Sequence, residues 1–333
     1  MNENLGEQLL ILPDYFQGHL LLTLISLFIG ILISVPLGVW ATQAPKIKRP
    51  LLAAISIIQT FPSVAILALV VALLGGQIGV LPAVIALVLY SILPIVRNTV
   101  TGLDTIPLEI VEAARGIGMS PLQILINVRL PLALPIIIAG IRTAAVWTVG
   151  LATLSTLVGA TSFGNYIFTG LQTRNLVAVT VGSVAAATLA VILDTLIAGV
   201  QWLVENRNQS TDLIKYKRVR NALTVGFLLS VGLSISSLAP ESEPDFVVGG
   251  KGFTEQYIIA GLLAAELEEA GFNVEQRLGL GTEIVYSATA NDTVDIYLEY
   301  TGTVWANRMK NSENPGRDFV MEGVVSHVEG VDG

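Results

Sequence analysis

Apolar residues in this chain gather into long runs, unlike the alternation of strands or the one-sided stripes of surface helices. Six runs, at residues 19–42, 51–74, 78–98, 132–157, 177–203 and 221–239, are long enough to cross a hydrocarbon core of about 30 Å at about 1.5 Å per residue. Gly, Pro or small polar residues interrupt each run, which membrane helices tolerate when neighbours re-satisfy the backbone. After residue 240 the pattern changes. DFVVGG (245–250), 274–278 and 294–300 read as strands, and 254–270 as an amphipathic helix with Thr254 as its candidate cap. Further helices are predicted at 282–291 and 316–328. The expected fold is an all-α polytopic membrane domain with six transmembrane helices, followed by a partial α/β lobe. Its divisions are an N-terminal segment 1–18, a membrane core 19–220, a last helix 221–239, a linker 240–244 and the lobe 245–333.

Composition supports the division. The 333 residues are 53% hydrophobic and 13% charged, with a mean hydropathy of +0.70, whereas a soluble chain carries about 25% charged residues. Residues 1–240 have a net charge of +4 and residues 241–333 a net charge of −12. With no cysteine, disulfides, thiol catalysis and zinc–thiolate sites are excluded. His19 and His327 are too far apart in sequence to suggest a histidine-built metal site. The N-terminus lacks the basic start of a cleaved signal peptide, so the first span is expected to be retained.

Orientation follows from the basic residues. Lys46, Lys48 and Arg49 follow the first span; Arg97, Arg115 and Arg129 follow the third; Arg207, Lys215, Lys217, Arg218 and Arg220 follow the fifth. The other side holds Arg174. The N-terminus and the C-terminal lobe are therefore expected outside the cell membrane, with the basic connections in the cytoplasm.

The connection at about 100–131 is patterned. Pro107 starts a helix with Thr105 as candidate cap, and Leu108, Val111, Ala113 and Ala114 give it an apolar side. Gly116 and Gly118 break it, and Ser120–Pro121 open a second helix, 121–129. Such a pair is either a docking knob or an interfacial hairpin lying on the membrane. Its spacing is Glu112-Ala113-Ala114, three residues, Gly118, nine residues, Val128, one residue, Leu130-Pro131. This resembles the EAA loop of ABC-importer permeases, departing only in Val128 for Ile. The resemblance covers roughly 15–205 and implies a type I importer permease of the quaternary-amine class. It also implies a coupling role for Glu112, Ala113, Ala114, Gly118, Leu130 and Pro131 against cytoplasmic ATPase subunits. ATP and magnesium would bind those subunits, with no cofactor in this chain and no enzymatic activity of its own. Two permease subunits, as a homodimer, would form the pathway. Within the spans, Arg142 and Asp194 read either as functional charges or as an ion pair fixing helix packing.

In the acidic lobe, Gly249-Gly250-Lys251-Gly252 lacks the glycine spacing and the Ser/Thr of a phosphate loop. GGKGFTEQY (249–257) and EYTGT (299–303) are instead similar to segments of substrate-binding proteins for glycine betaine, choline and related osmoprotectants. The resemblance implies that Lys251 holds a ligand carboxylate, Tyr300 forms one wall of an aromatic cage and Thr303 adds a hydrogen bond. Aromatic faces suit a quaternary ammonium, which has no N–H to donate. Binding domains of that family run to about twice this length, so at most half a cage is expected here, or a separate binding protein. The expected function is an osmoprotectant importer permease with a fused partial binding lobe, contacting lipid and no nucleic acid. Alternatives are a permease for an amino acid or other small solute, and a non-transporting sensor or remnant.

Overall fold

The computed structural model describes residues 2–206, 213–236, 244–313 and 315–330. Its first part is helical: α1 Asn2–Leu10, α2 Leu12–Gln43, α3 Pro45–Ile58, α4 Ser63–Leu73, α5 Val80–Asp104, α6 Leu108–Gly116, α7 Pro121–Ile124, α8 Leu130–Ala152, α9 Gly164–Gln172, α10 Leu176–Glu205 and α11 Leu213–Ser236. Among the described residues, α2, α5, the stretch Pro121–Val158 that contains α8, and α10 are long and apolar enough to cross a membrane. The bent α3–α4 pair makes a fifth if counted as one span. The predicted sixth span overlaps α11, which does not meet that criterion, and its residues 237–239 lie outside the described residues, as do 240–243 of the linker.

At the centre stands α5, with α2 and α8 packed on it and Ala83, Ile95 and Val96 fully buried. Small residues permit the approach: a Cβ on Gly38 of α2 would lie 2.7 Å from the Thr99 Cβ of α5. Arg142 of α8 donates to both carboxylate oxygens of Asp194 on α10, at 2.8 and 2.9 Å, and to Gln201 Oε1 at 3.1 Å. Of the two readings of these charges, the structure shows the ion pair between spans.

Two of the predicted helices take a different course. The second span is broken, with α3 and α4 meeting at 94°. Pro62 has no N–H, and its ring disfavours helical backbone at Phe61. Groups at the break are met from α5: Gln59 Nε2 donates to the Tyr90 carbonyl at 3.1 Å, and the Tyr90 hydroxyl donates to the Phe61 carbonyl at 2.7 Å. The helix predicted at 121–129 is not separate from the fourth span. From α7 the chain passes through a π turn, Leu125–Arg129, directly into α8. In that wide turn the Leu130 N–H donates to the Leu125 carbonyl, and Pro131, lacking an N–H, is accommodated in the first turn that follows.

Neither Thr105 nor Thr254 caps the helix assigned to it. Thr105 Oγ1 donates to the Gly102 carbonyl at 3.1 Å, closing the end of α5, and α6 begins after Pro107 with no side-chain cap. Thr254 lies inside its helix and donates to the Gln172 carbonyl of α9 at 2.7 Å. Ser120, by contrast, forms a full capping box with Gln123.

The lobe contains strands β1 Phe246–Lys251, β2 Val274–Leu280 and β3 Ile296–Tyr297, all parallel in the order β2-β1-β3. Helices α12 Thr254–Glu269 and α13 Thr282–Ala290 make the crossovers that parallel strands require, and α14 Thr301–Thr303 and α15 Arg317–Glu329 follow. Against the predicted 294–300, β3 is short: it pairs with β1 only through Val248↔Ile296 and Gly249↔Tyr297, after which Glu299 turns to Lys251.

The lobe is seated on the bundle. Leu280, Val285, Ala288 and Val294 join Val71, Ile78 and Val158 in one buried apolar cluster. Asn291 Nδ2 donates to the Gly75 carbonyl at 2.6 Å, beside the start of α5. The α6–α7 loop follows the other end of α5, so loop and lobe lie at opposite ends of a helix about 37 Å long.

Candidate functional site

One candidate surface is the tip formed by α6 and α7. Gly118 adopts φ +85°, a left-handed conformation that favours glycine, and its N–H donates to the Arg115 carbonyl at 2.9 Å. That turn, with the Ser120–Gln123 box, sets the second helix against the first. Glu112 and Ala113 are exposed while Ala114 is buried beneath them. Ile117 and Leu122 are 79% and 64% exposed at the tip. An apolar tip flanked by the exposed charges of Glu109, Glu112 and Arg115 suits a protein partner better than water. Leu130 and Pro131 lie instead at the root, where Leu130 packs on Leu103, Ala133 and Ile137. Arg129 Nη2 donates to the Leu103 carbonyl at 3.1 Å, and Lys48 pairs with Asp104, so the loop rests on a braced end of α5. The six sequence-predicted residues thus divide into a tip (Glu112, Ala113, Ala114, Gly118) and a root (Leu130, Pro131).

The second candidate surface is the carboxyl edge of the lobe's sheet, where open α/β sheets receive ligands. Lys251 ends β1 and is 2% exposed. Its ammonium is paired with Glu299, which lies just past β3. Glu299 also accepts from the Tyr300 N–H at 2.7 Å and the Tyr297 hydroxyl at 3.1 Å. Burial, reinforced by the Glu299 charge, raises the Tyr297 phenol well above its ordinary pKa, so it stays protonated as a donor. The Tyr300 ring centroid lies 5.5 Å from Lys251 Nζ and 5.9 Å from the Phe253 ring. Buried Gln256 ties the two strand ends together: its Oε1 accepts from the Lys251 N–H at 3.3 Å and its Nε2 donates to the Leu298 carbonyl at 3.1 Å.

Lys251 and Tyr300 are therefore brought together. Thr303 is held to the same turn, its N–H donating to the Tyr300 carbonyl at 2.9 Å. Sequence reasoning did not single out Phe253, Gln256 or Glu299. All three lie inside the two segments that drew attention, but spacing alone does not say which side chains of a segment meet.

A bundle of membrane-length helices with an exposed two-helix loop at one end and an α/β lobe on the other defines a membrane transport permease joined to a substrate-binding-type domain. Residues 34–209 match the family described as binding-protein-dependent transport system inner membrane component, and residues 244–329 match the substrate binding domain of ABC-type glycine betaine transport system. The chain belongs to the first of these families, the inner-membrane, multi-pass components of binding-protein-dependent transport.

Among its relatives is the ergothioneine transport permease/ergothioneine binding protein of Helicobacter pylori, 33% identical over 303 residues, which are 89% of this chain and 54% of that protein. The chain thus spans about half the length of that relative. The choline transport system permease protein of Bacillus subtilis is 42% identical over 180 residues, 54% of this chain and 82% of that one. An osmoprotectant import permease protein of Salmonella typhimurium is 40% identical over 186 residues, 55% and 86% of the two chains. A chain of the methionine ABC transporter MetNI shares the fold, with a TM-score of 0.55 at 23% identity over 59% of this chain and 97% of that one.

Proposed function

We propose that the chain is the membrane-spanning subunit of an ATP-driven importer for small trimethylammonium solutes of the glycine betaine, choline and carnitine class, carrying its own binding lobe. The observation that carries this reading is the placement of an EAA-type loop, as an exposed apolar tip, opposite a lobe whose strand ends pair Lys251 with an aromatic wall at Tyr300. Two permease subunits enclose the pathway, and cytoplasmic ATPase subunits, which bind the ATP and magnesium, dock on Glu112, Ala113, Ala114 and Gly118. Leu130 and Pro131 pass the resulting tilt into α8. The N-terminal segment 1–18 and the lobe 245–333 lie outside, with α11 as the sixth crossing between the core 19–220 and the linker. Substrate meets Lys251, Tyr300 and Thr303, with Glu299 holding the lysine in place. A second polypeptide supplying further binding surface is compatible with this arrangement.

Within that class a second solute is favoured by the Helicobacter pylori relative, whose match extends over 89% of the chain. Ergothioneine, like choline and carnitine, carries a trimethylammonium group, and that relative is named for its transport and binding. The test uses the full chain with its ATPase subunit in proteoliposomes, loaded with ATP on the cytoplasmic side. Uptake of at least one of glycine betaine, choline, carnitine or ergothioneine is expected. Glu112→Lys should reduce uptake and substrate-stimulated ATP hydrolysis together while membrane insertion is unchanged. Unchanged uptake in that variant rules out the docking role, and no uptake of any of the four by the wild type rules out the substrate class.

A further inference from the structure

The break between α3 and α4 opens a cavity of about 560 Å³, within the roughly 300–1,000 Å³ of small-molecule sites. Gln59, Phe61, Tyr90, Val146, Trp147 and Gly150 line it. Phe61 stands at the break and Trp147 on α8, and they remain 52% and 49% exposed. The Tyr90 ring is fixed because its hydroxyl is committed to the Phe61 carbonyl. On the α8 side a Cβ on Gly150 would meet nothing within 4 Å, so the wall recedes there. Broken membrane helices are tolerated where they line protein or water-filled space, and such breaks often form transporter sites.

This cavity does not read as a lipid-facing groove. Thr143, Val146, Trp147 and Gly150 recur at three- and four-residue steps on one face of α8. An adjoining cavity of about 490 Å³ shares Val146 and Trp147 and reaches Thr143 and the Arg142–Asp194 pair. A face carrying an ion pair belongs toward protein or water, since charges facing hydrocarbon are disfavoured. The walls at the break thus combine aromatic faces with a neutral amide and no basic side chain. With the Ser63 hydroxyl as a further neutral group, the aromatic faces attract a cation with no N–H to donate, and no charged side chain competes for an anion.

The geometry points to a substrate site within the membrane domain itself, in which Phe61, Tyr90 and Trp147 receive the trimethylammonium group on its way through the permease. It rests on the proposed function for the solute, and on the cavity alone for the place. Tyr300 of the lobe and Trp147 of the permease are then successive aromatic stations for one cation.

The full chain is purified in nanodiscs and titrated with tetramethylammonium chloride, with sodium chloride at equal ionic strength as the blank, in a Tyr300→Ala background that removes the lobe's aromatic wall. Saturable binding is expected to persist in that background. It should weaken about tenfold in Trp147→Ala and in Phe61→Ala, and Trp147→Phe should recover most of it. The Phe61 variant lies outside any helix, so it guards against misfolding of α8. Binding unaffected by either alanine, or abolished by Tyr300→Ala alone, overturns the site. Uptake in proteoliposomes separates the two readings. If the wild type imports no trimethylammonium solute while binding tracks Trp147, the substrate reading fails and the site stands. If uptake occurs while binding ignores Trp147 and Phe61, the site fails and the reading stands.

Discussion

Lys251 and Glu299 are unequal partners. The lysine side chain is 3% exposed and its ammonium has one carboxylate to answer it, whereas Glu299 is 15% exposed and also accepts from Tyr297 and Tyr300. Removing a partner from a buried pair leaves an uncompensated charge, at a cost of about 3–5 kcal/mol. That penalty falls mainly on the better buried group. Glu299→Gln should therefore destabilise the lobe by about 3 kcal/mol, while Lys251→Met should cost less because Glu299 keeps two hydrogen bonds and some water. Amide hydrogen exchange in β1 and β3 of the full chain measures both, and the double variant should lie nearer wild type than Glu299→Gln. A double variant whose effect equals the sum of the two single effects would mean that the pair does not hold the strand ends. Lys251 and Tyr300 stood out in sequence because they lie in two recognisable segments, although only Lys251 ends a strand. Glu299 was not, because being adjacent to Tyr300 says nothing about which way its carboxylate turns.

At the scale of elements, the α6–α7 loop depends on a glycine turn and a cap. A Cβ on Gly118 meets no atom within 4 Å, so Gly118→Ala adds backbone strain without a clash, roughly 1–2 kcal/mol at φ +85°. Ser120→Ala removes the capping box, typically about 1 kcal/mol. Each should speed hydrogen exchange across 108–124 by roughly fivefold or more while α2 and α5 are unaffected. If exchange in the loop does not change, neither the turn nor the cap sets its shape. Both features were readable because a Gly past a helix and a Ser–Pro before one act locally. What sequence missed was non-local. The runs marked a span at 51–74, but the 94° break depends on Tyr90 of α5, whose hydroxyl donates to the exposed Phe61 carbonyl and whose own carbonyl accepts from the Gln59 side chain. Thr254 looked like a cap, yet its hydroxyl is drawn to Gln172 of α9, which a local reading of the lobe does not consider. The aromatic walls at Phe61, Tyr90 and Trp147 escaped notice for the same reason, since they come from three separate runs.

For the whole molecule, the question is whether the lobe stays seated while substrate passes. It is anchored by a shared apolar cluster and by hydrogen bonds from Asn291 to Gly75 and from Thr254 to Gln172. Tethering already gives a lobe a high effective concentration at its permease, so these contacts add position rather than proximity. The chain contains no cysteine, so a Gln172→Cys/Thr254→Cys variant holds a single pair that can bridge α9 and α12 within one chain. Oxidation is expected to link them, since the Thr254 hydroxyl lies against the Gln172 backbone at 2.7 Å. Free thiols that label fully after oxidation would show a lobe that spends its time elsewhere. Uptake by the linked form then decides the mechanism. A lobe that works as a fixed vestibule above the pathway should import at an undiminished rate when linked and when reduced. A lobe that must lift to collect substrate should be arrested by the link and recover on reduction. The continuous burial of Leu280, Val285 and Ala288 with Val71 and Ile78 favours the first outcome, since lifting would expose that cluster to water in every cycle.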